Sequence, residues 1–146
     1  MAGKPIGVAC DHAGLELKKV LVAELGRRGH DVRDFGTDSA ESVDYPDFAH
    51  ALAKSLANEE IERGLLVCGT GVGMSISANR HPVVRAVVCS EPLSARMARK
   101  HNDANVLCVG ARVVGSDTAL DILGAFLDAD YEGGRHARRV AKITPP

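Results

Sequence analysis

Five short β-prone runs, Ile6–Cys10, Asp31–Asp34, Leu65–Cys68, Arg85–Cys89 and Val106–Val109, alternate from end to end with stretches whose apolar residues recur every third or fourth position. A strand that must be followed by a helix before the next strand builds parallel pairs, and parallel sheets are covered by helices on both faces. Leu15, Val20, Leu21 and Leu25 mark one helical face, and Phe48, Leu52 and Leu56 mark another. Met74–Asn79, Glu91–Lys100 and Asp117–Asp128 read as further helices. The pattern predicts a three-layer α/β sandwich, Rossmann-like in its winding, around a five-stranded parallel sheet. No repeat, linker or low-complexity tract interrupts the rhythm, so residues 1–146 read as one domain. The tail from Tyr131 to Val140 differs in kind. After Gly133 and Gly134 it is basic and weakly apolar, which reads as a C-terminal helical extension, either folded over a site or a partner or simply solvated.

Charge and composition remove several classes of function. With a formal charge of −1 and basic residues spread along the chain, neither nucleic acid nor an acidic membrane surface is an expected partner. Aromatic residues make up 3%, too few for a base-stacking platform. The first apolar run is too short for a signal-peptide core or a membrane span, which predicts a cytoplasmic protein. Cys10, Cys68, Cys89 and Cys108 show no C-x-x-C spacing, so neither a disulfide framework nor a metal site is expected. Three of them read as small buried hydrophobes. Cys68 is set apart by the glycines that come directly after it.

In an open parallel sheet ligands gather outside the carboxyl ends of the strands. Those ends carry Asp11 and His12, then Gly36, Thr37 and Tyr45, then Cys68-Gly69-Thr70-Gly71-Val72-Gly73, then Ser90 and Glu91. The third is the richest: a thiol, a hydroxyl and three glycines at a strand-to-helix junction, where backbone amides approach an anion closely and a thiolate is favoured. Counting disposes of three loop chemistries. A Walker loop needs lysine where Thr70 stands, a dinucleotide fingerprint needs glycine where Met74 stands, and a cysteine phosphatase needs arginine at that same Met74. Proton transfer beside a carbonyl suits the junction better, because the enediolate it creates needs preorganised donors and a base. Tight packing of a glycine turn is the competing explanation.

Across nearly its whole length the chain resembles the ribose-5-phosphate isomerase B family, which includes the subunits of galactose-6-phosphate isomerase. The resemblance is carried by Gly7 to Gly14, Asp44-Tyr45-Pro46, Cys68 to Gly73, Arg85 to Cys89, His101-Asn102-Asp103-Ala104-Asn105 and Glu132-Gly133-Gly134-Arg135-His136. It implies a cofactor-free aldose–ketose isomerase that interconverts ribose 5-phosphate and ribulose 5-phosphate through an enediolate. On this resemblance Cys68 is the base, Thr70 handles the proton on the carbonyl oxygen, and the amides of Gly69, Gly71 and Gly73 form the anion hole. His101 opens the sugar ring, Asp11, Asn102 and Tyr45 contact the sugar, and His12, Arg112, Arg135 and Arg139 hold the phosphate, with His136 a further candidate and Arg138 a solvated neighbour. Some members carry a glutamate where Ser75 stands; this chain is of the cysteine type. The resemblance also implies a homodimer or dimer of dimers with a shared active site, the His101-Asn102 and Arg112 region reaching across. An isomerase of another sugar (allose or galactose 6-phosphate, a tetrose phosphate) and a noncatalytic sugar-phosphate-binding protein are the alternatives.

Overall fold

The apolar runs and amphipathic stretches become strands and helices in the expected order in the computed structural model, which describes residues 3–146. Strands β1 (Ile6–Cys10), β2 (Val32–Asp34), β3 (Gly64–Cys68), β4 (Ala86–Val88) and β5 (Val106–Gly110) alternate with α1 (Leu15–Arg27), α2 (Tyr45–Ala57), α3 (Val72–Ala78), α4 (Pro92–Asn102) and α5 (Ser116–Asp128). The basic tail forms α6 (Arg135–Ala141) and packs against α4. All strand pairs are parallel, in the order β2-β1-β3-β5-β4. β4 is shorter than its apolar run because the Arg85 N–H donates to the Asn105 side chain at 2.7 Å instead of to the ladder. Among the described residues no helix is long and apolar enough to cross a membrane.

β1, β3 and β5 are buried along their entire lengths, which is why their sequences run apolar rather than alternating. Leu21 and Leu25 of α1, Ala95 of α4 and Ile122, Leu123 and Phe126 of α5 fill one face of the sheet. Leu52 and Leu56 of α2 with Met74 and Ala78 of α3 fill the other. Each fully buried leucine or phenylalanine contributes about 1.5–3 kcal/mol, so the two cores fix the layers before any site contact is considered.

Two consequences of this winding position the functional residues. The chain moves from β1 to β2 on one side and then to β3 on the other, so the carboxyl ends of β1 and β3 flank a crevice that no connection covers. Helix α4, in contrast, starts at the carboxyl end of β4 and ends before the amino end of β5. At 1.5 Å per residue it carries its last turn about 15 Å away from the rim where it began.

Candidate active site

Cys68 ends β3 with 4% of its surface exposed, and its Sγ accepts a hydrogen bond from the Gly71 N–H at 3.1 Å. The bond exists because Gly71 takes φ +78°, which reverses the chain beneath the sulfur before α3 begins. A Cβ at Gly71 would also sit 3.0 Å from the Val109 carbonyl carbon and 2.9 Å from Val88 Cγ2. Left-handed strain and overpacking together make Gly71→Ala cost about 3 kcal/mol. Thermal unfolding should therefore shift downward by roughly 6–12 °C, while an unchanged Tm would show that the turn is not held in this form.

The rest of the turn is assembled from neighbouring loops. Thr70 is exposed, and its Oγ1 accepts from the Val72 N–H at 3.3 Å. The Ala111 N–H donates to the Cys68 carbonyl at 2.8 Å and the Arg112 N–H to the Gly69 carbonyl at 2.9 Å, tying the end of β5 to the glycine turn. Arg112 lies along Gly69: a Cβ built there would be 3.7 Å from Arg112 Cδ. Tyr45 lies over Gly73, where a Cβ would run into its ring. Since Gly71 gives its amide to sulfur, Gly69 and Gly73 are left as the candidates for the anion hole.

Across the crevice, Asp11 is buried and its Oδ1 accepts from the Ala13 and Gly14 N–H groups at 3.0 and 3.1 Å, capping the turn after β1. His12 Nδ1 accepts from the Val43 N–H at 3.2 Å. In the neutral ring this leaves the proton on Nε2, a donor ready for an anion. The same bond holds the segment leading to Tyr45. Lys18, buried in α1 where a lysine reads as a surface residue, supports that loop from below by reaching Asp34 at 2.8 and 2.9 Å and the Thr37 carbonyl at 2.8 Å.

Asp11, His12, Tyr45, Cys68, Gly69, Thr70, Gly71, Gly73 and Arg112 therefore share the carboxyl rim. His101, Asn102, Arg135 and Arg139 do not. His101 and Asn102 end α4 at the opposite edge of the sheet, where Glu132 N–H donates to the Lys100 carbonyl at 3.0 Å and brings α6 alongside. Arg112 thus parts company with His101 and Asn102, with which it was expected to reach across: they precede β5 and it follows β5, so the length of that strand separates them. At the second edge His101 and His136 stack with ring centroids 4.2 Å apart and planes 14° apart. Glu132, to which the sequence of the basic tail around it gave no role of its own, faces the Nε2 atoms of both rings. A cavity of about 570 Å³ opens near the same edge, touching Arg85, Asn102 and Ile143.

Burial sets the electrostatics of the other three thiols. Burial pushes Cys10 up, lifts Cys89 to about 11 with help from Glu91, and raises Cys108 further still, with smaller contributions from Cys68 and Cys89. These three remain protonated and inert near neutral pH. Two histidines titrate low. Burial, then the neighbouring His101, depresses His136; burial, then His50 at 2.7 Å and Lys54, depresses His81. A histidine whose folded pKa lies below its ordinary 6.5 leaves the unfolded chain binding more protons in that window. Stability should accordingly fall as pH drops below about 6.5. Replacing both His81 and His136 by glutamine should flatten the Tm profile between pH 7 and 5; an equally steep loss in that double variant would assign the acid sensitivity elsewhere.

Comparison with known proteins identifies the family and the fold. Residues 6–143 match the family model described as Ribose/Galactose Isomerase. The chain is 53% identical over 141 residues to ribose-5-phosphate isomerase B of Escherichia coli (strain K12), covering 97% of this chain and 95% of that one. It is 42% identical over 139 residues to D-erythrulose-4-phosphate isomerase of Pectobacterium atrosepticum, covering 94% and 91%. The solved structure of Clostridium thermocellum ribose-5-phosphate isomerase B superimposes with a TM-score of 0.94 at 52% identity, over 95% of this chain and 94% of that one. Matches of this extent, over a sheet and rim built as described, mean that the chain belongs to the ribose/galactose isomerase family.

Proposed function

We infer that this protein is an aldose–ketose isomerase that interconverts ribose 5-phosphate and ribulose 5-phosphate by cysteine-mediated proton transfer. The observation that carries the mechanism is the seat of Cys68: a sulfur at the end of β3, oriented by the Gly71 amide at 3.1 Å, in a turn where Arg112 lies along Gly69 and Tyr45 over Gly73. In the open-chain aldose the Cys68 thiolate takes the proton from C2. The C2–H electrons form the C1=C2 bond and the carbonyl pair moves onto O1, giving an enediolate. Thr70 shuttles the proton between O2 and O1, the Gly69 and Gly73 amides hold the oxygen charge, and Cys68 returns its proton to C1. No electron leaves the sugar, so the reaction asks for no cofactor. His12, donating through Nε2–H, and the Arg112 guanidinium bind the phosphate.

A single chain brings nine of the thirteen expected site residues to the Cys68 rim and leaves His101, Asn102, Arg135 and Arg139 at another edge, and the apolar residues around the rim support a second copy. Val72 and Ile76 lie one turn apart on α3, with Val88 on the edge strand and Leu93 at the start of α4, and these four are 48, 63, 44 and 55% exposed. An exposed cluster of this kind suits a protein partner. We place the partner subunit's His101, Asn102, Arg135 and Arg139 over the Cys68 rim, in a homodimer or a dimer of dimers. Free buried thiols and a phosphorylated metabolite as substrate fit a cytoplasmic setting.

The D-erythrulose-4-phosphate isomerase among the relatives favours one alternative, a tetrose phosphate substrate. Measuring kcat/KM of the purified chain on ribose 5-phosphate, allose 6-phosphate, erythrose 4-phosphate and free allose separates them. Ribose 5-phosphate should give the highest value. A higher value for another sugar would reassign the substrate, and binding without turnover of any of the four would make this a noncatalytic binding protein.

A further inference from the structure

His101, Glu132 and His136 place three ligand-type atoms within 4.8 Å of one another. A metal ion does not fit them as they stand. Such an ion lies in the plane of each imidazole it binds, about 2 Å from the nitrogen, and two rings stacked at 4.2 Å with planes only 14° apart do not converge on one point at that distance. The arrangement suits a proton better. Glu132 Oε1 is 3.7 Å from His101 Nε2 and 3.5 Å from His136 Nε2, so one carboxylate oxygen faces both rings from just beyond hydrogen-bond length. Catalytic hydrogen bonds are commonly long before substrate arrives.

We propose that Glu132 is the positioning residue for ring opening, holding His101 in the orientation from which it protonates the sugar, with His136 as the stacked wall behind it. This rests on the role given to His101 above. The backbone fixes the pairing, because the Glu132 N–H is bonded at 3.0 Å to the carbonyl of Lys100, the residue before His101. Gly133 and Gly134, at φ +63° and +56°, then turn the chain so that α6 brings His136 back onto the His101 ring. His136 is buried and its Nε2 has no hydrogen-bond partner, so packing holds its ring in place and the Glu132 oxygen stands between the two rings, bonded to neither. Around the pair, Lys100, whose Nζ is 4.0 Å from Glu132, and Arg135 and Arg139 on α6 are cationic, while Asp103 at the end of α4 is engaged by Arg99 at 3.0 Å and Arg85 at 3.3 Å. Glu132 is the carboxylate that faces both rings. When ribose 5-phosphate opens, the C1–O4 bond breaks with its electron pair on O4, O4 takes the His101 proton, O1 loses its proton to water as C1=O1 forms, and solvent restores His101. A carboxylate facing the ring orients it for this transfer.

The two pentose phosphates give a test that a merely structural role would not pass. Ribose 5-phosphate closes through O4 onto C1, whereas ribulose 5-phosphate has its carbonyl at C2 and its fifth oxygen esterified, so it cannot form a furanose. At enzyme concentrations where spontaneous ring opening is slower than the wild-type rate, Glu132→Gln should lower turnover of ribose 5-phosphate by roughly 10- to 100-fold, part of the 10²–10⁴ that general acid catalysis supplies. Initial consumption of ribulose 5-phosphate should stay within about twofold of wild type, since the open aldehyde it yields can leave and close in solution. The side chain is 48% exposed and the fold should keep its Tm. His101→Asn should show the same one-sided loss. Equal loss in both directions in Glu132→Gln, or none in either, overturns the assignment; failure of the wild-type chain on both sugars would instead overturn the substrate reading.

Discussion

Cys68→Ala should abolish isomerisation, with kcat falling by 10²–10⁴ or more, while the protein keeps its fold and still binds ribose 5-phosphate. The size of the loss reflects the chemistry: Cys68 is the rim side chain seated at the glycine turn whose free amides would hold the enediolate. Cys10, Cys89 and Cys108 are held as thiols by burial, and Cys108 belongs to the apolar core behind the turn. Binding survives because the phosphate donors His12 and Arg112 hang on other contacts, the Val43 amide and the Gly69 carbonyl. Losing one small buried side chain should lower Tm by only a few degrees, about 1 kcal/mol of packing. Kinetics on ribose 5-phosphate and isothermal titration with the same sugar separate the two effects. Activity within tenfold of wild type would remove Cys68 as the base, and loss of binding along with activity would make it a packing residue.

Much of the fold was legible because it depends on local patterns. Fully apolar runs such as Val106–Val109 reveal strands buried on both faces, and the spacing of Leu21 and Leu25 reveals the face α1 turns inward. The insertion of β5 between β3 and β4 was not legible, since no residue records which neighbour its strand will take. The Cys68 turn was visible as composition, but the use of the Gly71 amide on sulfur depends on a positive φ that only the folded chain displays. Nothing in the sequence marks Lys18 as buried; Asp34 and Thr37 draw it inside because a loop carbonyl and a carboxylate there need a donor. Glu132 was visible as the first residue of a motif, but in a tail whose arginines dominate its charge nothing gave it a role of its own. Most consequential, motifs that read as one site lie at two ends of the sheet: Cys68 follows its strand, while His101 precedes β5.

That separation makes the shared site the claim to test, and mixing two inactive variants tests it most directly. Cys68→Ala and His101→Ala each remove one half of every site in their own homodimers. Co-expressed with different affinity tags, they form mixed dimers in which one site has lost both residues and the other has neither change. For a two-fold symmetric dimer with random pairing, about a quarter of wild-type activity should return, and about half in purified mixed dimers. The measurement is the rate of ribose 5-phosphate isomerisation by the mixed species against each parent variant. Recovery to about half in the purified mixed dimer is the predicted result; mixed dimers as inactive as their parents would place Cys68 and His101 in the same chain's site and contradict the account.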